Sequence, residues 1–113
     1  MITLWHNPRC SKSRQALALI EASGTLVTVR RYLEDSPDAA EITAALAALG
    51  IPAIEMMRRG EKAFTQAGLS TSDDEATLVA AMVAHPILIE RPIAFAGDRA
   101  VIGRPPEEVQ ELF

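Results

Sequence analysis

The 113-residue sequence contains a single cysteine, Cys10, and few aromatic residues: one tryptophan, one tyrosine and three phenylalanines. One cysteine excludes a framework of internal disulfides and is typical of proteins of the reducing cytoplasm, where we expect this protein to work. No apolar run approaches the roughly 20 residues that a membrane-spanning helix needs. We therefore expect no contact with a membrane, and the N-terminus does not have the pattern of a signal peptide.

Positive charge is not in excess. Eleven Lys and Arg residues against fifteen Asp and Glu residues give a net charge of -4, so we do not expect a nucleic-acid-binding protein. The length suits one compact domain, and we predict a single domain over residues 1–113. His6, His85 and Cys10 do not have the spacing of a metal-ligand set, and we predict no metal and no bound cofactor.

Three motifs for phosphate or thiol chemistry are also missing. The sequence has no glycine-rich loop ending in Gly-Lys-Ser/Thr. Ser13 stands where a Cys-x-x-Cys motif would have its second thiol, and Ala16 stands where a phosphatase-type loop would have an arginine. If Cys10 becomes oxidised, another molecule must therefore reduce it.

Cys10 lies between a short apolar run and a helical pattern, close to the cations Arg9, Lys12 and Arg14. Unpaired N–H groups and the positive end of the helix dipole converge at such a helix start, a setting that favours a thiolate and binds anions. His6 could add a further charge or carry a proton, or it could be a structural hydrogen-bond partner. We predict a reactive thiolate in an anion-binding site. The alternative is an inert cysteine that packs like a small hydrophobic residue.

The hydrophobic periodicity predicts a β-α-β unit, a block of helices and a β-β-α ending. This order indicates an α/β, thioredoxin-like fold, with a mixed four-stranded sheet and an inserted helical block between strands 2 and 3. The predicted strands are Ile2–Trp5, Leu26–Arg31, Ile93–Phe95 and Ala100–Ile102. The predicted helices are Ser11–Ala22, one that begins at Ser36-Pro37 and ends near Leu49, one that follows a capping box at Ser72 and ends at His85-Pro86, and Glu107–Leu112.

The segment His6-x-x-x-Cys10-x-x-x-Arg14, preceded by a strand, resembles the active-site motif of the glutaredoxin-coupled arsenate reductases, the ArsC family. The likeness covers nearly the whole chain in collinear order and is greatest to the short bacterial members. The other segments that carry it are Tyr32-Leu33-Glu34, the Arg58 region before Gly68-Leu69, the run from His85-Pro86 to Arg91-Pro92-Ile93, and Ile102-Gly103-Arg104-Pro105.

This resemblance implies that Cys10 is the nucleophile and that His6 and Arg14 complete the catalytic motif. It implies reduction of arsenate to arsenite through a thioarsenate on Cys10. Glutathione would serve as co-substrate and a glutaredoxin as the protein partner. We expect a monomer, because the phenylalanines do not form a large aromatic patch.

The resemblance also implies that Arg58, Arg91 and Arg104 bind the oxyanion and that the Arg91-Pro92 peptide bond is cis. Arginine side chains match tetrahedral oxyanions because they form paired hydrogen bonds. Arg59 could take the place of Arg58.

Two other functions stay open. The first is a glutathione-linked thiol redox protein that acts on another substrate, since the same site would suit several anions. The second is a transcriptional regulator that binds RNA polymerase. Related thioredoxin-like regulators typically carry a Cys-x-x-Cys switch, and Ser13 argues against that assignment.

Overall fold

A computed structural model describes all residues from Met1 to Phe113. It divides into two compact units, one formed by residues 1–35 with 91–113 and the other by residues 36–90. The single domain suggested by the chain length stays a prediction. None of the helices combines the length and apolarity needed to cross a bilayer.

The first unit is a four-stranded sheet with two helices. The strands follow the order β2-β1-β3-β4, with β1 parallel to β2 and antiparallel to β3, and β3 antiparallel to β4. This mixed sheet confirms the predicted thioredoxin-like architecture. Its elements are β1 (Ile2–Trp5), α1 (Ser11–Ala22), β2 (Val27–Arg30), β3 (Ile93–Ala96), β4 (Arg99–Ile102) and a C-terminal 3-10 helix (Pro106–Leu112).

A hydrophobic core cluster of this unit lies on one face of the sheet. Alternate residues of a strand point to the same face, so Ile2 and Leu4 of β1 meet Ala16 and Ile20 of α1. The C-terminal helix adds Val109 to the same cluster and packs against α1. This packing fixes the start of α1 against the end of β1, where the predicted site lies.

The second unit is the inserted block, and it is helical as predicted. It lies between β2 and β3 in sequence and has one isolated bridge, between Met57 and Ile89. Sequence periodicity did not indicate α3, because five residues are too few for the helical period to show. The elements are α2 (Ala39–Leu49), a 3-10 helix (Ala53–Met56), α3 (Lys62–Gln66), α4 (Glu75–Ala84) and a second 3-10 helix (Pro86–Leu88).

The predicted starts of α2 and α4 were wrong. The residues that cap these helices are Asp38 and Asp74 rather than Ser36 and Ser72. Each aspartate carboxylate accepts a hydrogen bond of 2.8 Å from the backbone N–H three residues on. Asp38 also forms a full capping box, because Glu41 accepts from the Asp38 backbone N–H at 3.1 Å. An aspartate nearer the apolar run thus caps each helix in place of the earlier serine.

Candidate active site

Cys10 is the N-cap residue of α1. Its backbone is extended, with φ -94° and ψ 123°. Its N–H donates to the Asn7 carbonyl and its carbonyl accepts from the Arg14 N–H, each at 3.0 Å. The side chain is 8% exposed and makes no capping hydrogen bond. The sulfur therefore lies at a helix start whose N–H groups are not satisfied by a side-chain cap.

Arg104 approaches the sulfur from a distant part of the chain. Its Nη2 lies 3.9 Å from Cys10 Sγ, although the two residues are 94 positions apart. Its Nε donates to the Arg91 carbonyl at 2.9 Å, and the Nε and Nη1 atoms of Arg91 are themselves buried. The peptide bonds Arg91-Pro92 and Arg104-Pro105 are both cis, the first as the resemblance implied. The structure thus brings two of the three predicted oxyanion-binding arginines into contact, and one of them reaches the thiol.

Gly103 makes this approach possible. Its N–H donates to the Pro92 carbonyl at 2.8 Å. A Cβ atom at this position would lie 2.8 Å from Cγ of Pro92 and 3.2 Å from Cγ1 of Val109. Because the first distance is shorter than real Cβ contacts, a side chain here would force the Pro92 ring or the backbone before Arg104 to shift.

His6 and Ser13 form a buried pair beneath the loop. His6 Nδ1 lies 2.6 Å from Ser13 Oγ, and Ser13 has no exposed surface. Burial lowers the pKa of His6, and the positive charges of Arg31 and Arg14 lower it further. The imidazole is therefore mostly neutral near pH 7, and a catalytic role for His6 stays a prediction.

The other cations near Cys10 lie on the surface. Arg9, Lys12 and Arg14 are all exposed. The Arg14 guanidinium donates to the Pro8 carbonyl at 3.0 Å, so it ties the loop that precedes Cys10 to the first turn of α1. A catalytic role for Arg14 stays a prediction.

Arg58 belongs to the second unit. Its guanidinium forms ion pairs with Glu61 and with Glu90, the latter with 3.8 Å between Nε and Oε1. Its backbone N–H donates to the Leu88 carbonyl at 2.7 Å. Arg59 is exposed. Two carboxylates hold Arg58 in place, and its role toward an oxyanion stays a prediction.

Sequence reasoning treated Ser13 only as the place of an absent thiol. In the structure it is the most buried polar residue. The sequence did contain a pattern that predicts burial of Ser13. Ser13, Ala16 and Ile20 have the i, i+3, i+7 spacing of an inner helix face, and all three are buried in the structure.

Comparison with known proteins identified relatives over the whole length. The model of the ArsC family matches residues 5–112. The chain is 40% identical to "Arsenate reductase" of Neisseria meningitidis serogroup A, over 98% of this chain and 97% of that protein. It is 44% identical to "Uncharacterized protein YfgD" of Escherichia coli K12, over 98% and 95%. The structure of "Arsenate reductase from Vibrio cholerae" is 41% identical with a TM-score of 0.95, covering 99% of this chain and 97% of that one.

Proposed function

This chain belongs to the ArsC family, and we propose that it reduces arsenate to arsenite with Cys10 as nucleophile. The observation that carries the proposal is the 3.9 Å contact between Arg104 Nη2 and Cys10 Sγ. A guanidinium at the sulfur can bind an oxyanion within reach of the Cys10 nucleophile.

Arsenate near pH 7 is mostly a dianion with tetrahedral oxygens. In our proposal Arg104, Arg91 and Arg58 bind these oxygens by paired hydrogen bonds. The uncapped N–H groups at the start of α1 add a further anion-binding element. His6 and Arg14 complete the site, His6 as a proton carrier and Arg14 as the contact that closes the loop.

The first chemical step forms a bond between sulfur and arsenic. The Cys10 thiolate attacks arsenic, and the hydroxyl oxygen of the arsenate dianion takes up one proton from the solvent and leaves as water, so the product is a thioarsenate on Cys10. Arsenic is still As(V) at this stage, because only an oxygen has been exchanged for a sulfur.

The second step supplies the electrons. A glutathione thiol forms a disulfide with the Cys10 sulfur, the sulfur–arsenic bond breaks, and its electron pair stays on arsenic, which leaves as arsenite, As(III). Each of the two sulfurs is oxidised by one electron. A glutaredoxin thiol then takes the glutathione and regenerates the Cys10 thiol. An external reductant fits a chain with one cysteine and with Ser13 in place of a second thiol.

The direct test is arsenite production by the purified protein supplied with arsenate, glutathione and glutaredoxin. We expect turnover by the unmutated protein and by Ser11→Ala, a control in the same turn of α1, and none by Cys10→Ser. Without glutaredoxin, turnover should stop and mass spectrometry should find glutathione on Cys10. No arsenite from the unmutated protein would refute the activity. Arsenite from Cys10→Ser would refute the nucleophile.

A glutathione-linked redox activity on another substrate is the second candidate. The same contact favours it, because a guanidinium beside the sulfur can pair with a carboxylate of glutathione as well as with an oxyanion. Rates with arsenate and with a small glutathione mixed disulfide would separate the two activities. In either case we propose that the protein works as a monomer in the cytoplasm, where glutathione keeps thiols reduced.

A further inference from the structure

The other hydrogen bond of Ser13 indicates which atom donates in the buried pair of His6 and Ser13. The Asn7 backbone N–H donates to Ser13 Oγ at 3.0 Å, so this oxygen already accepts one bond. The hydroxyl proton needs an acceptor of its own, and Ser13 has no surface exposed to bulk water. Nδ1 of His6, at 2.6 Å, is the acceptor within reach.

This direction fixes the state of the imidazole ring. A neutral imidazole has one nitrogen that donates and one that accepts. If Nδ1 accepts from the serine, its lone pair is free and the ring proton is on Nε2. A protonated ring would donate from both nitrogens, and the buried hydroxyl proton of Ser13 would then lose its acceptor. The pair therefore disfavours the imidazolium ion.

The same serine also supports the nucleophile. Its oxygen holds the Asn7 N–H, and the Asn7 carbonyl accepts from the Cys10 N–H at 3.0 Å. The Asn7 side chain accepts from the Arg9 N–H, also at 3.0 Å. The Ser13 hydroxyl group thus contacts both His6 and Asn7, and Asn7 in turn binds the Cys10 backbone, so this hydroxyl supports the loop from His6 to Cys10.

We propose that Ser13 is a positioning residue, which holds the His6 ring with its proton on Nε2 and anchors the loop that presents Cys10. The low pKa of His6 is consistent with this role, although burial, Arg31 and Arg14 are its main causes. The expected effect of Ser13 on turnover rests on the proposed function, whereas the expected protonation of the His6 ring is independent of it.

The ring state can be measured directly by NMR of 15N-labelled protein. His85→Gln removes the other histidine, which is exposed, and leaves His6 as the only imidazole signal. We expect a protonated Nε2 and an unprotonated Nδ1. In the Ser13→Ala protein the titration midpoint of His6 should rise, because the neutral ring loses its hydrogen-bond donor. A proton on Nδ1 in the unmutated protein would overturn the proposal, and so would an unchanged midpoint in Ser13→Ala.

Kinetics provide a second measurement. Ser13→Ala should lower kcat by about tenfold, the scale expected when a reacting group is slightly misplaced, with little change in the KM for arsenate. Ser13→Thr, which keeps the hydroxyl group, should restore the ring state, and Ser11→Ala should behave as the unmutated protein. If Ser13→Ala fails to fold, the tautomer in the unmutated protein and in Ser13→Thr still decides the question. If the unmutated protein makes no arsenite, the proposed function fails and the NMR result still tests Ser13.

Discussion

The start of α1 differs from the starts of α2 and α4. Asp38 and Asp74 cap the latter two helices with their carboxylates, and each has an acidic residue in its first turn. α1 begins at Cys10 with no side-chain cap and no acidic residue in its first turn. α2 and α4 thus neutralise their starts with their own carboxylates. The start of α1 has no such carboxylate, and a helix start of that kind favours a thiolate or a bound anion.

The distribution of charge follows the same division. The second unit has three Lys and Arg residues against eight Asp and Glu, whereas the first has eight against seven. Most of the basic residues are thus in the unit that contains Cys10. This difference between the two units predicts two kinds of effect. Substitutions at the start of α1 and near Arg104 should change turnover, whereas substitutions of the helix caps in the second unit should change only the free energy of unfolding.

Arg104→Ala should have the largest effect. We expect arsenate turnover to fall by about 10²- to 10³-fold, as when one donor is removed from an oxyanion site. Arg104→Lys should recover only part of the loss, since lysine cannot form paired bonds. Arg99→Ala, an exposed arginine on β4, is the matched control. Equal turnover in the Arg99 and Arg104 variants would remove Arg104 from the site.

Gly103→Ala should reduce both stability and turnover. The new Cβ would lie 2.8 Å from Pro92 Cγ, and overpacking of this kind costs about 1–3 kcal/mol. The backbone that must move carries Arg104, so turnover should fall as well. Gly60→Ala is the control, because a Cβ there would meet nothing within 4 Å. Urea unfolding measures the stability of both variants. Equal midpoints would show that the packing around Gly103 can relax.

Asp38→Ala should affect stability alone. Loss of an N-cap carboxylate costs about 1 kcal/mol, measured by urea unfolding, and we expect arsenate turnover to stay unchanged. Ser36→Ala, two residues earlier, should stay within about 0.5 kcal/mol of the unmutated protein, since Ser36 does not cap the helix. A loss of turnover in Asp38→Ala would contradict the separation between the two kinds of helix start.

The sequence predicted the first part of the fold well. The bounds of β1 and α1 match the structure residue for residue, because a short apolar run and a clear helical spacing follow one another without competing signals. The starts of α2 and α4 were missed because a serine and an aspartate compete within two residues, and local pattern does not decide between them.

The candidate site was only partly accessible from sequence. The cysteine at a helix start follows from local pattern. The contact between Arg104 and Cys10 spans 94 positions, so no spacing rule could give it, and it was expected only from the family resemblance. The close packing at Gly103 and the bond between His6 and Ser13 depend on how the elements pack, and neither was predicted.

The smallest expected effect concerns pH. Because the pKa of His6 is lowered in the folded protein, the unfolded chain binds the proton more readily as pH falls through about 6.5. His6 should therefore reduce the free energy of unfolding progressively below that pH, down to its folded pKa. Urea unfolding across this range should show a steeper decline for the unmutated protein than for His6→Gln. Carboxylates titrate in both proteins, so the difference between their two plots of unfolding free energy against pH gives the contribution of His6. Parallel curves for the unmutated protein and His6→Gln would mean that the folded protein does not hold this ring neutral.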